Sequence, residues 1–402
     1  MRESRLKTLI LALVYPHRAS YYDDWRDAFA SSPQFECTIA NILDLKPRDL
    51  EREAELYDAI IMLHSCNSDT LDYLAPLAPV LGARKRARLA TFVGNEFNSP
   101  YVSMAERVRL FGQARCDLVA TQLLVEAGDY LYAASGAKVI AMPHALNPAA
   151  FKPGPESSRR PIDLGVKGYR YPPYLGDDDR NRMLRLFAQN ARRWEIAVDI
   201  SEDRRLDRTE WAQFLQSCKG AISSETGSWY VAPDDELIDR IHAYLKKKRK
   251  GIVIGNDSAL RRAARRLPMS LKSFLWPILA HGPIRFEVLD DFNTPFEELE
   301  ALFFRDAPRA PVYGKAISSR HFDAIGTKTC QVMLHGRYND ILTADEHYIA
   351  VDPGFGDVDE AIRRFKDPEL REDIAEAAYR RAMAGHTYAH RARTMFDHLN
   401  AC

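Results

Sequence analysis

Apolar residues in this chain come in short unbroken runs rather than in strict alternation. Thr8 to Val14 (T-L-I-L-A-L-V) is the first of them. Runs of this kind suit parallel strands buried on both faces. The form returns at Phe35–Ala40, Tyr57–Ser65, Arg88–Phe97, Cys116–Gln122 and Lys138–Pro148, with helical stretches at about Tyr22–Ala30 and Glu126–Ala133. Strand and helix in turn predict a doubly wound parallel sheet. Ligands of such sheets sit beyond the carboxyl ends of the strands. That rule selects His17, His64, Asn95, Glu96 and His144, each of which reads equally well as a loop residue without chemistry. No GxGxxG follows the first run, so the dinucleotide fingerprint is absent.

Phe151 to Pro161 holds three prolines and a glycine in eleven residues and reads as a linker. The alternation then restarts. Strands are expected at Ile162–Arg170, Trp194–Ile200 and Lys219–Ser224, and helices at Asp177–Ala191 and Thr209–Ser217. Phe296–Phe304 is helical. In Ala316–Val351, a short helical run carries Asp323, Gly326–Thr327 breaks it, and strands follow at Cys330–Leu334 and Tyr348–Val351. Helix N-terminus, carboxylate and strand are the parts that hold a nucleotide, and also the parts of an ordinary αβ unit. Helices at Asp357–Phe365, Pro368–Ala384 and Tyr388–Leu399 close the chain.

A length of 402 residues favours two domains. Lys+Arg and Asp+Glu are both 56, so no global field draws nucleic acid. The six cysteines, 37, 66, 116, 218, 330 and 402, show no CxxC spacing and read as reduced thiols of a cytoplasmic protein. No HExxH or comparable ligand spacing appears, and His386 and His390 lack a third ligand nearby, so no metal site is expected. Thr8–Val14 is too short to span a bilayer. The segment 246–280 differs from the rest. It carries Lys246–Lys250, Arg261–Arg266 and the apolar Phe274–Leu279. It reads as a peripheral contact with an anionic membrane face, or as a solvated basic face beside core aromatics.

Two αβα halves joined by a Pro-rich linker resemble the GT-B fold of nucleotide-sugar glycosyltransferases. Met142-Pro-His-Ala-Leu-Asn-Pro-Ala-Ala-Phe-Lys-Pro153 resembles the segment that ends the N-terminal domain there. Ile317-Ser-Ser-Arg-His-Phe-Asp-Ala-Ile-Gly-Thr327 resembles the P-x-R-x-F-E-A-x-A-x-G segment of the group-1 branch. Gly385-His-Thr-Tyr-Ala-His390 resembles the tail of the CgeB-like, surface-polysaccharide subgroup.

The resemblance implies two Rossmann-like domains facing a cleft. Residues 1–153 would take the acceptor, 160–384 the nucleotide-sugar donor, and 385–402 would pack back on the first domain. It implies metal-independent transfer of a sugar from a nucleotide diphosphate to a glycan, lipid-linked or protein acceptor, at the inner face of the membrane if 246–280 docks there. Lys167 and Arg170, with Lys315, Ser319 and Arg320, are implied at the donor phosphates. Asp323 matches the second carboxylate of the family's E-x7-E pattern, which holds ribose hydroxyls. Lys315 stands where the first belongs, and Glu225 is the candidate to face the base or sugar instead. Glu96 and His64 are the acceptor-side groups. A GT-B nucleotide-sugar epimerase and a non-catalytic nucleotide-sugar-binding protein are the alternatives.

Overall fold

The computed structural model describes residues 5–14, 23–96, 102–168, 170–202, 206–248, 253–254, 258, 285–286 and 294–401. His17 and most of 246–280 lie outside the described residues. Among the described residues, no helix is long and apolar enough to cross a membrane.

The apolar runs of the first half form β1 (Leu6–Ala12), β2 (Phe35–Asn41), β3 (Ala59–Met62), β4 (Arg88–Phe92), β5 (Leu118–Thr121) and β6 (Lys138–Ala141). They make one parallel sheet in the order β2-β1-β3-β4-β5-β6. The runs are unbroken because each strand feeds two cores. Successive side chains point to opposite faces. Leu9, Leu11, Ile60, Met62 and Leu89 enter one core, while Ile10, Ile61, Ala90 and Phe92 enter the other.

The second sheet contains β7 (Ile162–Lys167), β8 (Val198–Ser201), β9 (Cys218–Ser223), β10 (Cys330–Leu334) and β11 (Ile349–Val351). It is also parallel, in the order β11-β10-β9-β7-β8. The run expected as a strand from Trp194 becomes one only at Val198. Trp194 and Ile196 are buried before it, on either side of Glu195 at φ +51°. A turn that must place two apolar side chains in the core delays the strand.

Two doubly wound αβα domains thus meet through the carboxyl ends of their strands, the GT-B arrangement. The chain crosses between them twice, and the crossings pair. Leu146 donates to the carbonyl of His386 at 2.9 Å, and Tyr388 donates to that of Leu146 at 3.1 Å. His386 ends one helix and His390 lies within the next, so the two do not share a helix. Arg160 anchors the linker. Its buried guanidinium donates to the carbonyls of Pro155, Cys218 and Thr327 at 2.9–3.0 Å. The final helix, Tyr388–Ala401, lies on the first domain. Tyr388, Ala392, Met395, Phe396 and Leu399 fill the core that also holds Trp25 and Phe35.

Phe396 meets the Phe35 ring edge-on at 5.8 Å. Phe396→Ala should lower the unfolding free energy by about 3 kcal/mol, read by urea denaturation, because the cavity lies between two rigid elements.

Candidate active site

A polar cluster of the second domain lies at the carboxyl ends of β7 and β9. Arg320 is the second residue of the helix Ser319–Gly326. Its Nε donates to Ser223 Oγ at 3.0 Å, and its Nη2 donates to the Ser224 carbonyl at 2.8 Å and to the Tyr171 hydroxyl at 2.5 Å. Arg180 approaches Tyr171 as well, and both guanidinium carbons stand 5.5 Å from that ring's centre. Tyr171 is fixed by Asn181, which exchanges two 3.0 Å hydrogen bonds with its backbone. Burial pushes the Tyr171 phenol up, but Arg320 and Arg180 outweigh burial and hold it below its ordinary range.

Arg180 is the unusual member. It is 4% exposed, and its Nε and Nη1 meet no acceptor among the described residues. Burial, then the charge of Arg320, pushes it down to about 10. A buried cation with idle donors is costly unless an anion completes it. Two guanidinium groups and the N-terminus of the helix Ser319–Gly326 converge on one place, which is the chemistry a diphosphate requires. Neither Arg180 nor Tyr171 is among the residues selected from sequence. The signal was nonetheless present, because Arg180 occupies the buried stripe of its helix with Met183, Leu184 and Phe187, at helical spacing.

The other basic candidates are distributed differently. Lys167 pairs with Asp199 on the adjoining strand and covers the Phe214 ring at 5.0 Å. Arg170 is exposed and pairs with Glu202 at 2.7 Å. Ser319 opens its helix, partly buried, and the preceding Ser318 caps it. Lys315 is buried over the Trp229 ring, 4.5 Å from its centre, with Asp177 at 2.5 Å and Asp179 at 3.1 Å. Its charge is met here by two carboxylates, which tie it to the acidic N-terminus of the helix Asp179–Asn190.

Asp323 accepts from Trp211 Nε1 at 3.0 Å. Burial, and the charge of Asp24 from the first domain, push its carboxyl well above the usual range against the Trp211 hydrogen bond. Asp24 in turn pairs with Arg208 of the second domain at 3.0 Å and accepts from Asn147 at 2.7 Å. Asp323 therefore sits at the domain seam.

The three catalytic candidates, Glu225, Glu96 and His64, are all buried. Glu225 is buried, and its carboxylate accepts from the Tyr313 hydroxyl and from Tyr338 N at 2.7 Å. It clamps the loop after β10. A Cβ on Gly336 would lie 2.3 Å from Glu225 Oε2, so a larger residue there would displace the carboxylate. Beyond it Tyr338, Asn339 and Asp340 take φ of +45°, +54° and +57°, a left-handed run that costs about 1–2 kcal/mol per residue.

Glu96 is 2% exposed and accepts from Thr121 Oγ1 at 2.6 Å and Gln122 N at 2.7 Å. His64 is fully enclosed among Trp25, Phe92 and His144, ring centres 5.0–5.7 Å away, and burial holds its imidazole well below the usual range. Glu96 and His64, the expected acceptor-side groups, are thus both enclosed within the first domain.

Residues 300–397 match a family model described as glycosyl transferase-like. A search of curated proteins finds no match to the chain. Among solved structures, HepE of Anabaena in complex with UDP and glucose is similar at 12% identity and a TM-score of 0.48, over 99% of this chain and 100% of that one. Sucrose-phosphate synthase of Thermosynechococcus elongatus is similar at 12% identity and a TM-score of 0.48, over 99% of each chain. An alpha,alpha-trehalose 6-phosphate synthase of Burkholderia multivorans is similar at 14% and 0.46, over 99% of this chain and 96% of that one.

Burial pushes Glu96 up to about 7, against the hydrogen bonds from Thr121 and Gln122 and the charge of Arg107. Between about pH 4.5 and 7 the folded state holds a proton that the unfolded chain has lost, so stability falls as pH rises through that window, by up to about 3 kcal/mol. Glu96→Gln imitates the protonated form. Urea titrations at about pH 5 and about pH 8 should show the wild-type decline removed in the variant.

Proposed function

We propose that the chain is a glycosyltransferase that moves a sugar from a nucleotide diphosphate donor to a glycan or glycoconjugate acceptor. The observation that carries this reading is the pair of guanidinium groups, buried Arg180 and partly buried Arg320, around Tyr171 at the strand ends of the second domain. The match to a glycosyl transferase-like model covers the helix that supplies Arg320.

In such a transfer the bond from the sugar's anomeric carbon to the diphosphate oxygen breaks, and negative charge accumulates on the leaving diphosphate. Fixed donors aimed at that charge stabilise the transition state more than the bound donor. Arg180 supplies unused N–H groups, Arg320 a second guanidinium, and Arg170 a cation at the exposed rim. Lys167, tied to Asp199, contributes field rather than contact. Asp323, its carboxyl pushed up by burial, suits a hydrogen bond to a ribose hydroxyl at the seam. This reading requires no metal, since the diphosphate charge is met by side chains and a helix N-terminus. The donor belongs to the second domain and the acceptor to the first. The surface-polysaccharide, CgeB-like branch is supported by the tail Gly385–His390, and a cytoplasmic location by reduced thiols.

One observation favours a second reading. Lys315, where the family's first carboxylate belongs, fits a non-catalytic nucleotide-sugar-binding protein.

Incubation with a panel of UDP-, GDP- and dTDP-sugars should release nucleoside diphosphate in an acceptor-dependent manner. Binding without release selects the second reading, and conversion of the donor to another nucleotide sugar without acceptor selects the epimerase class. Arg180→Met should raise the melting temperature by a few degrees, because a cation without full partners leaves the core, and weaken UDP binding about a hundredfold, measured by calorimetry. Unchanged UDP affinity in this variant removes Arg180 from the site.

A further inference from the structure

Asp235 carries an arrangement that neither domain needs for its own folding. It precedes the helix Glu236–Lys248 of the second domain, and its carbonyl accepts from Asp239 N at 2.8 Å. Its carboxylate points into the first domain. There it accepts from Ser103 Oγ at 2.7 Å, Met104 N at 2.7 Å and Ala105 N at 3.1 Å. These donors open the helix Met104–Gln113, which already has a cap of its own, since Ser103 Oγ accepts from Glu106 N at 3.0 Å. Asp235's own helix likewise has Asp234, whose carboxylate accepts from Glu236 N at 3.0 Å. Asp235 thus serves two helix N-termini, its carbonyl that of its own helix and its carboxylate that of the first domain's, and its negative charge lies near both.

A second contact crosses the same seam. Asn339 Nδ2 donates to the Gln122 carbonyl at 2.9 Å, and Arg337 pairs with Glu126 at 3.0 Å. Asn339 is the middle residue of the left-handed run, and its Oδ1 also accepts from Ile317 N at 2.8 Å. Gln122 and Glu126 follow β5, whereas Arg337 and Asn339 follow β10.

We propose that Asp235 and Asn339 are the two halves of a latch that holds the domains together across the cleft. The carboxylate ties a helix of each domain, and the left-handed loop is the strained part that lets go when the seam opens. Loss of the Gln122 and Glu126 contacts leaves the loop with partners of its own domain, Glu225, Tyr313, Leu334 and Ile317 among them. The inference concerns domain docking and stands or falls separately from the transferase reading.

The test uses the full chain without ligand. Asp235→Ala should speed amide exchange at Met104 and Ala105 about tenfold, leave Glu106 N protected by Ser103, and enlarge the radius of gyration in small-angle scattering. Asp235→Asn, which keeps the shape with a neutral acceptor, should give a smaller change of the same sign. Asn339→Gly separates latch from local strain. Glycine adopts φ +54° without cost but has no amide for Gln122, so the latch requires a larger radius of gyration in this variant. An unchanged radius in both Asp235→Ala and Asn339→Gly overturns the proposal. So does a loss of protection that extends through Val108–Phe111, because Asp235 would then support the helix rather than the docking.

Discussion

A carboxylate taken out of water must be given donors, and this requirement shapes both walls of the cleft. Glu96 is enclosed at the end of β4 and holds Thr121 and Gln122 in place. Glu225 is enclosed beyond the end of β9 and holds Tyr338. Gln122 and Asn339, each adjacent to or directly held by one of these anchors, then meet across the seam. Each domain therefore fixes its contribution to the interface through a buried acid. The donors that make burial tolerable occupy oxygens of both acids.

The cationic side follows the opposite rule. Arg160 and Arg391 are buried and surrounded by carbonyl acceptors, as a structural arginine should be. Arg180 is buried to a similar degree and has idle donors. The difference separates cations that complete the fold from one the fold holds ready for something else. Arg320 lies between these cases, with its fork committed to Ser223, Ser224 and Tyr171 but its charge added to that of Arg180. Tyr171 lies against both guanidinium groups, and its packing keeps two like charges close.

The fold was legible because unbroken apolar runs report two-sided burial directly, and the linker declared itself through proline. The site was legible only in part. Arg320 stands in the cluster, carried there by its position at a helix start. Asp323 stands at the domain seam, where Asp24 of the other domain faces it, and no pattern in the sequence brings together residues so far apart. His64, Glu96 and Glu225 were selected by being polar at strand ends, and that signal does not distinguish a side chain facing the cleft from one turned beneath it. Arg180 was overlooked because a charge in a helical stripe is easily read as solvated. Lys315 shows a related limit: sequence gives the cation, whereas the neutralising Asp177 and Asp179 come from another part of the chain.

The last helix has a consequence for the order in which the protein becomes complete. Tyr388 to Leu399 complete the core over Ile10, Ile61 and Phe92, so one face of the first sheet, covered until then only in part by Trp25 and Phe29, is not closed until residues 388–399 have been synthesised. On a ribosome, the domain translated first is the domain finished last. Its open face is apolar and rich in strand residues, the kind of surface that associates wrongly when left waiting. The cost of joining the two domains through a returning helix therefore falls during synthesis, when the face meant for Met395 and Phe396 is open to any other chain nearby.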